Sequence, residues 1–256
     1  MRTDFDVAVT IENPFEAAVF IIDKPAGPTS FKMVSGVRRA LGIKKVGHAG
    51  TLDPFATGLL IVCAGRPATR MISQMMVGQK EYHATLCLGI ETETLDPEGA
   101  VTAKHPVGFL RAEQIEECLR LFRGQLLQVP PVYSALKHHG KPLYYYARQG
   151  IHIVKDPRPV FIETLERLDD GGDLEGKETA SLSLRIVCSK GTYIRSLAAD
   201  IGRCLGCGAY LLQLRRIKSG CFTVADSLPG AELFLPDARQ RLLARALSVD
   251  DITNLL

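Results

Sequence analysis

The chain has 256 residues, 46% of them hydrophobic, which is enough to build one large domain with a substantial core. Its net charge of +3 is too small to indicate nucleic-acid binding by itself, and the sequence contains no apolar run long enough to span a bilayer. The first ten residues, MRTDFDVAVT, have neither the basic nor the apolar region of a secretion signal, so we expect a cytoplasmic protein with no membrane segment.

The first half of the chain alternates short apolar runs with segments rich in glycine and proline. The run AVFII predicts a buried strand that ends at D-K-P-A-G-P, and Thr29 or Ser30 then caps a helix with one apolar face. The predicted elements are a strand over 18–22, a helix from 29 or 30 to 41, strands over 59–64 and 83–88, and a polar loop over 91–99.

The second half shows both helical and strand periodicity. Apolar residues recur at helical spacing before Gly124, whereas Leu182, Leu184 and Ile186 alternate with polar residues. Seven acidic residues between 163 and 178 predict a solvated edge loop. The predicted elements are helices over 110–122, 194–205 and 237–247 and a strand over 181–187. Irregular alternation of strands and helices predicts an α+β fold, with a mixed, mostly antiparallel sheet flanked by helices.

Several kinds of chemistry have no motif in this chain. It lacks a Walker lysine motif, a dinucleotide fingerprint, H-E-x-x-H and G-x-S-x-G, which argues against nucleotide-driven, hydride-transfer, zinc-protease and serine-hydrolase chemistry. Cys204 and Cys207 form one C-x-x-C without the further ligands that a tetrahedral zinc site needs, and the seven cysteines are typical of reduced thiols. We expect no metal site, which leaves an unassisted carboxylate as the best catalytic candidate.

That carboxylate is Asp53, in the segment 46–60, V-G-H-A-G-T-L-D-P-F-A-T-G-L-L. Pro54 biases Asp53 toward an extended backbone, and the glycines allow the chain to pass close to a neighbouring surface. On these residues alone, an aspartate in such a turn is more often structural than catalytic. Its role therefore depends on the other motifs of the chain.

Five further segments have distinctive patterns. Considered alone, Tyr82 is more often a residue that packs in the core or on the face of a sheet, and Arg195 is more often a surface residue. The segment around Lys137 interleaves basic residues with tyrosines, which suits phosphate contact combined with base stacking. The segments are K-P-A-G-P-T-S at 24–30, K-E-Y at 80–82, Q-V-P-P-V-Y-S-A-L-K through R-Q-G at 128–150, K-G-T-Y-I-R at 190–195 and L-R-R at 214–216.

Together with the Asp53 segment, these motifs resemble the TruB-type pseudouridine synthases, which isomerise a uridine in the T-loop of tRNA. The motifs fall in family order across residues 19–223. The resemblance implies the pseudouridine synthase fold, with a catalytic domain over 1–223 and an insertion over about 125–155 that clamps the T-loop. Many relatives continue into an RNA-binding domain of the PUA type, for which the tail 224–256 is too short, so we expect that domain to be missing.

The resemblance also implies roles for individual residues. Asp53 corresponds to the essential catalytic residue, Arg195 pairs with it, and Tyr82 stacks on the target base with its hydroxyl as a candidate for proton transfer. An arginine partner is expected to keep Asp53 ionised by lowering its pKa. The implied substrate-binding residues are His48, Lys24, Tyr193 and Leu214, and the implied RNA-binding residues are Lys137, Lys141 and Arg148.

One segment departs from the family pattern T-D-T-x-D-x-x-G. Here it reads T-E-T-L-D-P-E-G over 92–99, so Glu93 stands in place of an aspartate and Pro97 stiffens the turn. We expect only a local change in the geometry of this loop.

The implied reaction flips the uridine out of the T-loop and joins its C5 to the ribose C1′. Asp53 would add to C6 of the uracil, attack C1′, or remove a proton from C2′, and the sequence does not choose among these routes. Because the reaction is an isomerisation, no metal, nucleotide or redox cofactor is expected. The expected partner is the T-arm of tRNA, bound by a monomer without an obligate protein partner.

Two other functional readings remain open. The protein could be a tRNA-folding chaperone in which catalysis is incidental. It could also be a guide-RNA-directed relative that modifies ribosomal RNA within a multiprotein particle, although the clamp insertion weighs against this reading.

Overall fold

The computed structural model of the protein describes residues 16–175 and 177–256, so the N-terminal segment considered above lies outside it. The strands are β1 (Ala18–Lys24), β2 (Val46–Ala49), β3 (Thr57–Ala64), β4 (Lys80–Leu88), β5 (Ile90–Thr92), β6 (Val101–Lys104), β7 (Gly124–Gln128), β8 (Lys137–His138), β9 (Lys141–Pro142), β10 (Arg158–Arg167), β11 (Ala180–Cys188), β12 (Ala209–Ser219), β13 (Phe222–Thr223) and β14 (Leu228–Pro229). The helices are α1 (Ser30–Leu41), α2 (Arg66–Arg70), α3 (Ile72–Met75), α4 (Ala112–Leu121), α5 (Leu143–Ala147), α6 (Ile194–Cys204), α7 (Ala238–Leu243) and α8 (Val249–Leu255), with 3₁₀ helices at Val224–Asp226 and Gly230–Phe234.

Among the described residues, ten strands form one large sheet. Its main path runs β14-β1-β3-β12-β4-β11-β10-β7, with β2 paired to β3 and β13 paired to β12. The pairs β1–β14 and β3–β12 are parallel, and the other pairs are antiparallel. The structure therefore confirms the predicted α+β class with a mixed, mostly antiparallel sheet.

The sheet is buried on both faces at its β1–β3 end. Phe20 and Ile22 of β1 pack into the larger core with α1, α4 and α6, whereas Val19 and Ile21 pack into a second core with α2, α3 and α8. Successive side chains of a strand point to opposite faces, so a strand covered on both sides becomes apolar throughout. This double burial explains the uninterrupted run AVFII.

Most of the predicted elements are confirmed. The structure contains the strands predicted near 18–22, 59–64, 83–88 and 181–187, and the helices predicted near 29–41, 110–122 and 194–205, with ends shifted by a few residues. The cap of α1 is Thr29, whose hydroxyl accepts a hydrogen bond from the Lys32 amide. Tyr82, which the sequence placed just before a strand, lies inside β4.

Three predicted boundaries are wrong. The acid-rich segment enters a loop only after residue 167, because β10 continues to Arg167 and pairs with β11 around the buried Leu165. The helix predicted over 237–247 ends at Leu243, since Leu247 leaves it to form two backbone hydrogen bonds with Val19. The polar loop 91–99 begins with the last two residues of β5.

Part of the predicted insertion and part of the C-terminal segment belong to the large sheet. Residues 125–128 belong to β7, so the segment that leaves the sheet between β7 and β10 is 129–157. The segment 224–256 adds β14 to the sheet and contributes Leu233 and Leu242 to the larger core and Ile252 to the second. These residues therefore pack as part of the same fold as the large sheet.

Two further features bear on the sequence analysis. Within the described part of the chain, no helix is long and apolar enough to cross a membrane. All seven cysteines are free thiols, and no group of three or more His, Cys, Asp or Glu residues at 16–175 or 177–256 is arranged to hold a metal ion.

Gly58 allows the backbones of β3 and β12 to approach each other closely. Its φ is +98°, and a Cβ at this position would lie 2.3 Å from the Arg216 carbonyl oxygen. Gly58→Ala should lower the free energy of unfolding, measured by urea denaturation, by about 3 kcal/mol or more, because left-handed strain adds to a collision between two backbones.

Gly42 provides the matched control. Its φ is +69°, but nothing lies within 4 Å of the added Cβ. Gly42→Ala should therefore cost only the backbone strain of about 1–2 kcal/mol. Equal costs for the two substitutions would contradict the importance of the close approach.

Candidate active site

The turn that contains Asp53 joins β2 to β3 and lies against the start of α1. The Ser30 hydroxyl donates to the Leu52 carbonyl at 2.9 Å and accepts from the Leu52 amide at 2.9 Å. The Gly27 amide donates to the Pro54 carbonyl at 2.8 Å. The backbone groups on both sides of Asp53 are therefore fixed by hydrogen bonds to the Ser30 hydroxyl and the Gly27 amide, in the segment that precedes and begins α1.

Two buried cations also hold the backbone of this turn. The Lys24 ammonium donates to the carbonyls of Pro25, Pro28 and Pro54 at 2.9, 2.8 and 3.0 Å. Arg216 donates from Nε to the Leu59 carbonyl at 2.7 Å and from Nη2 to the Gly50 carbonyl at 3.1 Å. Burial lowers the pKa of Lys24 to about 8, while the Asp53 carboxylate acts in the opposite direction. Lys24 is fully buried and holds the backbone of the turn, so its predicted role in substrate binding stays a prediction.

Arg195, in the first turn of α6, is the direct partner of Asp53. Its Nε lies 2.9 Å from Asp53 Oδ2 and its Nη2 lies 3.4 Å from Asp53 Oδ1, so the guanidinium meets the carboxylate with two nitrogens. Arg195 also donates to the carbonyls of Thr94 and Tyr133 at 2.8 and 2.7 Å. Its side chain is only 5% exposed, whereas that of Asp53 is 34% exposed. The carboxylate therefore faces open space while its partner is buried behind it.

Asp96 is a site residue that sequence reasoning did not single out. Its Oδ2 lies 3.3 Å from Arg195 Nη1, on the side of the guanidinium away from Asp53. Its other oxygen accepts hydrogen bonds from the Thr94 hydroxyl and the Glu98 amide, and the Thr92 hydroxyl donates to its carbonyl. The only sequence signal was its place in the 92–99 segment, whose polar residues fold the loop onto Arg195.

The pKa of Asp53 is shifted in the direction opposite to the expected one. Burial raises the pKa of this carboxyl above its ordinary value of 3.8, and the Asp96 carboxylate raises it further. The Arg195 guanidinium and the Lys24 ammonium oppose the shift. The predicted effect of the arginine is present, but desolvation is the larger cause and the pKa is raised overall.

A cavity of about 350 Å³, which we call the Tyr82 cavity, opens on one side of Asp53. Tyr82 is 7% exposed, and burial raises its pKa, so its hydroxyl stays protonated. Tyr193 and Leu214 also line this cavity, together with Arg195. The structure therefore brings five of the predicted site residues together: Asp53, Tyr82, Tyr193, Arg195 and Leu214.

A second cavity, which we call the His48 cavity, also borders Asp53 and is lined by His48, Arg148, Asp96 and Glu98. Burial and the Arg216 cation lower the pKa of His48, so its ring is neutral near pH 7. The Nδ1 atom of His48 is buried and has no hydrogen-bond partner among the described residues.

The insertion is anchored to the start of α6 but carries its lysines away from Asp53. Directly before the insertion, the Gln128 side chain exchanges two hydrogen bonds with the Tyr193 backbone, at 2.7 and 3.0 Å. Inside the insertion, the Val129 carbonyl accepts a hydrogen bond from the Ser196 hydroxyl at 3.1 Å. Lys137 and Lys141 lie on the two-stranded β8–β9 ribbon and are exposed. Lys141 Nζ lies 4.1 Å from the centre of the Tyr145 ring. Of the three predicted RNA-binding residues, only Arg148 lines a cavity beside Asp53.

Comparison with known proteins agrees with this geometry. Residues 38–194 match the family model described as TruB family pseudouridylate synthase (N terminal domain). The chain belongs to this family. Residues 195–234 match the tRNA pseudouridylate synthase B C-terminal domain. The boundary between the two matches falls within the fold, because β12 of the second region lies between β3 and β4 of the first.

Individual relatives are similar to this chain over most of its length. The chain is 61% identical over 245 residues to the tRNA pseudouridine synthase B of Desulfotalea psychrophila, covering 96% of this chain and 99% of that one. It is 46% identical to the protein of the same name from Protochlamydia amoebophila, covering 84% and 79% of the two chains. A solved structure of a Cbf5-Nop10-Gar1 complex contains a similar chain, with 26% identity and a TM-score of 0.66. The match covers 93% of this chain and 62% of the solved chain.

The raised pKa of Asp53 can be measured directly by carbon-13 NMR of the aspartate carboxyls. The Asp53 signal, assigned by its loss in Asp53→Asn, should titrate with a midpoint above 3.8 because burial disfavours the charged form. Asp96→Asn, which removes a like charge but keeps the shape, should move the midpoint to lower pH. A midpoint at or below 3.8, or one that Asp96→Asn leaves unchanged, would contradict the assignment of causes.

Proposed function

We propose that this protein is a tRNA pseudouridine synthase, an isomerase that converts uridine 55 of the T-loop into pseudouridine. The observation that carries the proposal is the Asp53–Arg195 pair, with the carboxylate exposed to a cavity lined by Tyr82, Tyr193 and Leu214. The relatives named tRNA pseudouridine synthase B support the same reaction and substrate.

The catalytic residues in this proposal are Asp53, Arg195 and Tyr82. Asp53 attacks the flipped nucleotide or accepts a proton from it, and Arg195 keeps the carboxylate ionised and oriented. The ring of Tyr82 forms a wall against which a uracil stacks, and its protonated hydroxyl is placed in the same cavity for proton transfer. Tyr193 and Leu214 complete the walls of this base-sized space.

Access to the uridine requires base flipping. Taking a base out of a folded loop costs on the order of a few kcal/mol, which contacts to the rest of the loop must offset. His48 and Tyr82 line different cavities beside Asp53, and the neutral ring of His48 suits the stack that the flipped base leaves. Two cavities that share the Asp53 carboxylate but differ in their other lining residues support this division between the flipped base and the remaining loop.

The insertion 129–157 is the proposed clamp on the T-arm. It presents the cations Lys137, Lys141 and Arg148 beside exposed tyrosines, which fits phosphate contact with base stacking. The proposal includes action as a monomer without an obligate protein partner. The isomerisation has no net redox change, so we propose a cytoplasmic enzyme that uses no cofactor and no metal.

Asp53→Asn tests the catalytic assignment and separates a synthase from a tRNA chaperone. With an unmodified tRNA transcript, pseudouridine at position 55 is mapped by carbodiimide-blocked primer extension. Because an amide neither attacks carbon nor accepts a proton effectively, the rate should fall by at least about 10²–10⁴-fold. The exposed Asp250→Asn on α8 serves as the matched control and should keep the wild-type rate.

The test separates tRNA binding and folding from pseudouridine formation. Asp53→Asn should still bind tRNA, since its shape is unchanged, and any assistance to tRNA folding should survive. Pseudouridine formation by Asp53→Asn at the wild-type rate would contradict the catalytic role of Asp53. Binding and refolding of tRNA without any pseudouridine formation by the wild type would favour the chaperone.

The clamp can be tested through the salt dependence of binding. The double variant Lys137→Ala with Lys141→Ala should weaken tRNA binding and lower the slope of log Kd against log salt concentration by about 0.7–0.9 for each lost phosphate contact. Lys104→Ala, an exposed lysine on β6 that lines neither cavity, is the control for net charge. A slope that changes equally in Lys104→Ala and in the double variant would argue against the clamp.

A further inference from the structure

The two cavities beside Asp53 differ in charge. Apart from Asp53, the charged residues lining the Tyr82 cavity are all cations: Lys80, Lys190, Arg195 and Arg216. The His48 cavity instead adds the carboxylates Asp96 and Glu98 to Asp53, against the cations Arg148 and Arg195. The positive field is therefore concentrated where the proposed function places the uracil.

Lys80 is a buried cation of the Tyr82 cavity that the mechanism above does not use. It begins β4 two residues before Tyr82, so both side chains leave the same face of the strand. Only 8% of Lys80 is exposed. Its ammonium donates to the carbonyls of Met76 and Gly78 at 3.1 and 3.2 Å. An ammonium has three N–H donors, so one of them has no acceptor among the described residues.

The other cations of this cavity are already engaged or lie at its rim. Arg195 is bound to Asp53 and Asp96 and to two carbonyls. Arg216 donates to the carbonyls that support the Asp53 turn. Lys190 is exposed. Burial and the neighbouring cations Arg216 and Lys190 lower the pKa of Lys80, so its surroundings favour the arrival of a negative charge.

Pseudouridine formation creates negative charge on the uracil by every route. If the N1–C1′ bond breaks, its electron pair stays on N1 and spreads to O2 and O4. If Asp53 adds to C6, the electron pair of the C5–C6 double bond moves to C5 and O4. In each case a carbonyl oxygen becomes a stronger hydrogen-bond acceptor in the transition state, where a fixed cationic donor is most effective.

We propose that Lys80 donates its free N–H to a carbonyl oxygen of the flipped uracil and stabilises the negative charge that forms there. Lys80 is thus a further catalytic residue of the proposed synthase, and this inference rests on the proposed function. It acts on the uracil ring, whereas Arg195 acts on the Asp53 carboxylate.

The first experiment compares Lys80→Met with the control Lys104→Met under single turnover, with enzyme in excess over tRNA. Methionine keeps the length of the side chain and removes the charge. Lys80→Met should slow pseudouridine formation by about 10²–10³-fold, as the loss of one charge-stabilising donor typically does. Lys104→Met should keep the wild-type rate, and a wild-type rate in Lys80→Met would overturn the inference.

A second experiment separates a contact with the base from support of the 76–78 turn. Substrate tRNAs carry 2-thiouridine or 4-thiouridine at position 55, since sulfur is a weaker hydrogen-bond acceptor than oxygen. The ratio of thio to oxo rates is compared between the wild type and Lys80→Met, which cancels the intrinsic effect of sulfur. At one of the two positions this ratio should be lower in the wild type than in the variant. Equal ratios at both positions would overturn the contact.

A replacement variant covers a failure to fold, and the control separates failure of the Lys80 role from failure of the proposed function. Lys80→Gln, which keeps a donor without the charge, replaces Lys80→Met if the methionine variant does not fold, with folding judged by circular dichroism. The control also separates the two claims. If neither the wild type nor Lys104→Met forms pseudouridine, the proposed function fails. If both do and the Lys80 variants match them, only the role of Lys80 fails.

Discussion

The ion pair between Asp53 and Arg195 is the interaction on which the rest of the site depends. A buried guanidinium is costly unless charges and hydrogen bonds surround it. The acceptors around Arg195 come from the Asp53 turn, from the loop of Thr94 and Asp96, and from the insertion at Tyr133. These partners lie 62 to 142 residues away along the chain. Satisfying one buried cation therefore assembles three separate segments around the start of α6.

The position of Asp53 is determined mainly by contacts with its backbone neighbours. Ser30, Lys24 and Arg216 all bind main-chain groups of residues 50–59 and leave the Asp53 side chain to Arg195. A turn fixed in this way holds its carboxylate without using the carboxylate's own hydrogen-bonding capacity. Small errors in the placement of a reacting group are costly to catalysis, so rigidity of the turn and freedom of the carboxylate serve the same end.

The sequence predicted the elements whose signal is local, such as α1 with its Thr29 cap and the alternating β11. It missed features that depend on distant partners. The acidic start of the 163–178 segment joins the sheet because Leu165 is buried, and Leu247 leaves its helix because Val19 offers backbone partners. Motif matching identified Asp53 and Arg195. It could not show that Asp96 is the second carboxylate on Arg195, because that contact forms only when the 92–99 loop folds against α6.

Asp96 resolves a conflict in the electrostatics of the site. Asp53 needs nearby cations to stay ionised when buried, but an arginine that neutralised it fully would make it a poor nucleophile or base. Asp96 forms a second ion pair with Arg195, so the guanidinium does not neutralise Asp53 alone. The charge of Asp96 also raises the pKa of Asp53. The positive charge of Arg195 is then divided between two carboxylates and compensates Asp53 only in part. The remaining negative charge of Asp53 borders the Tyr82 cavity, whose other charged residues are cations, so opposite charges meet in the cavity where we propose that the uracil binds.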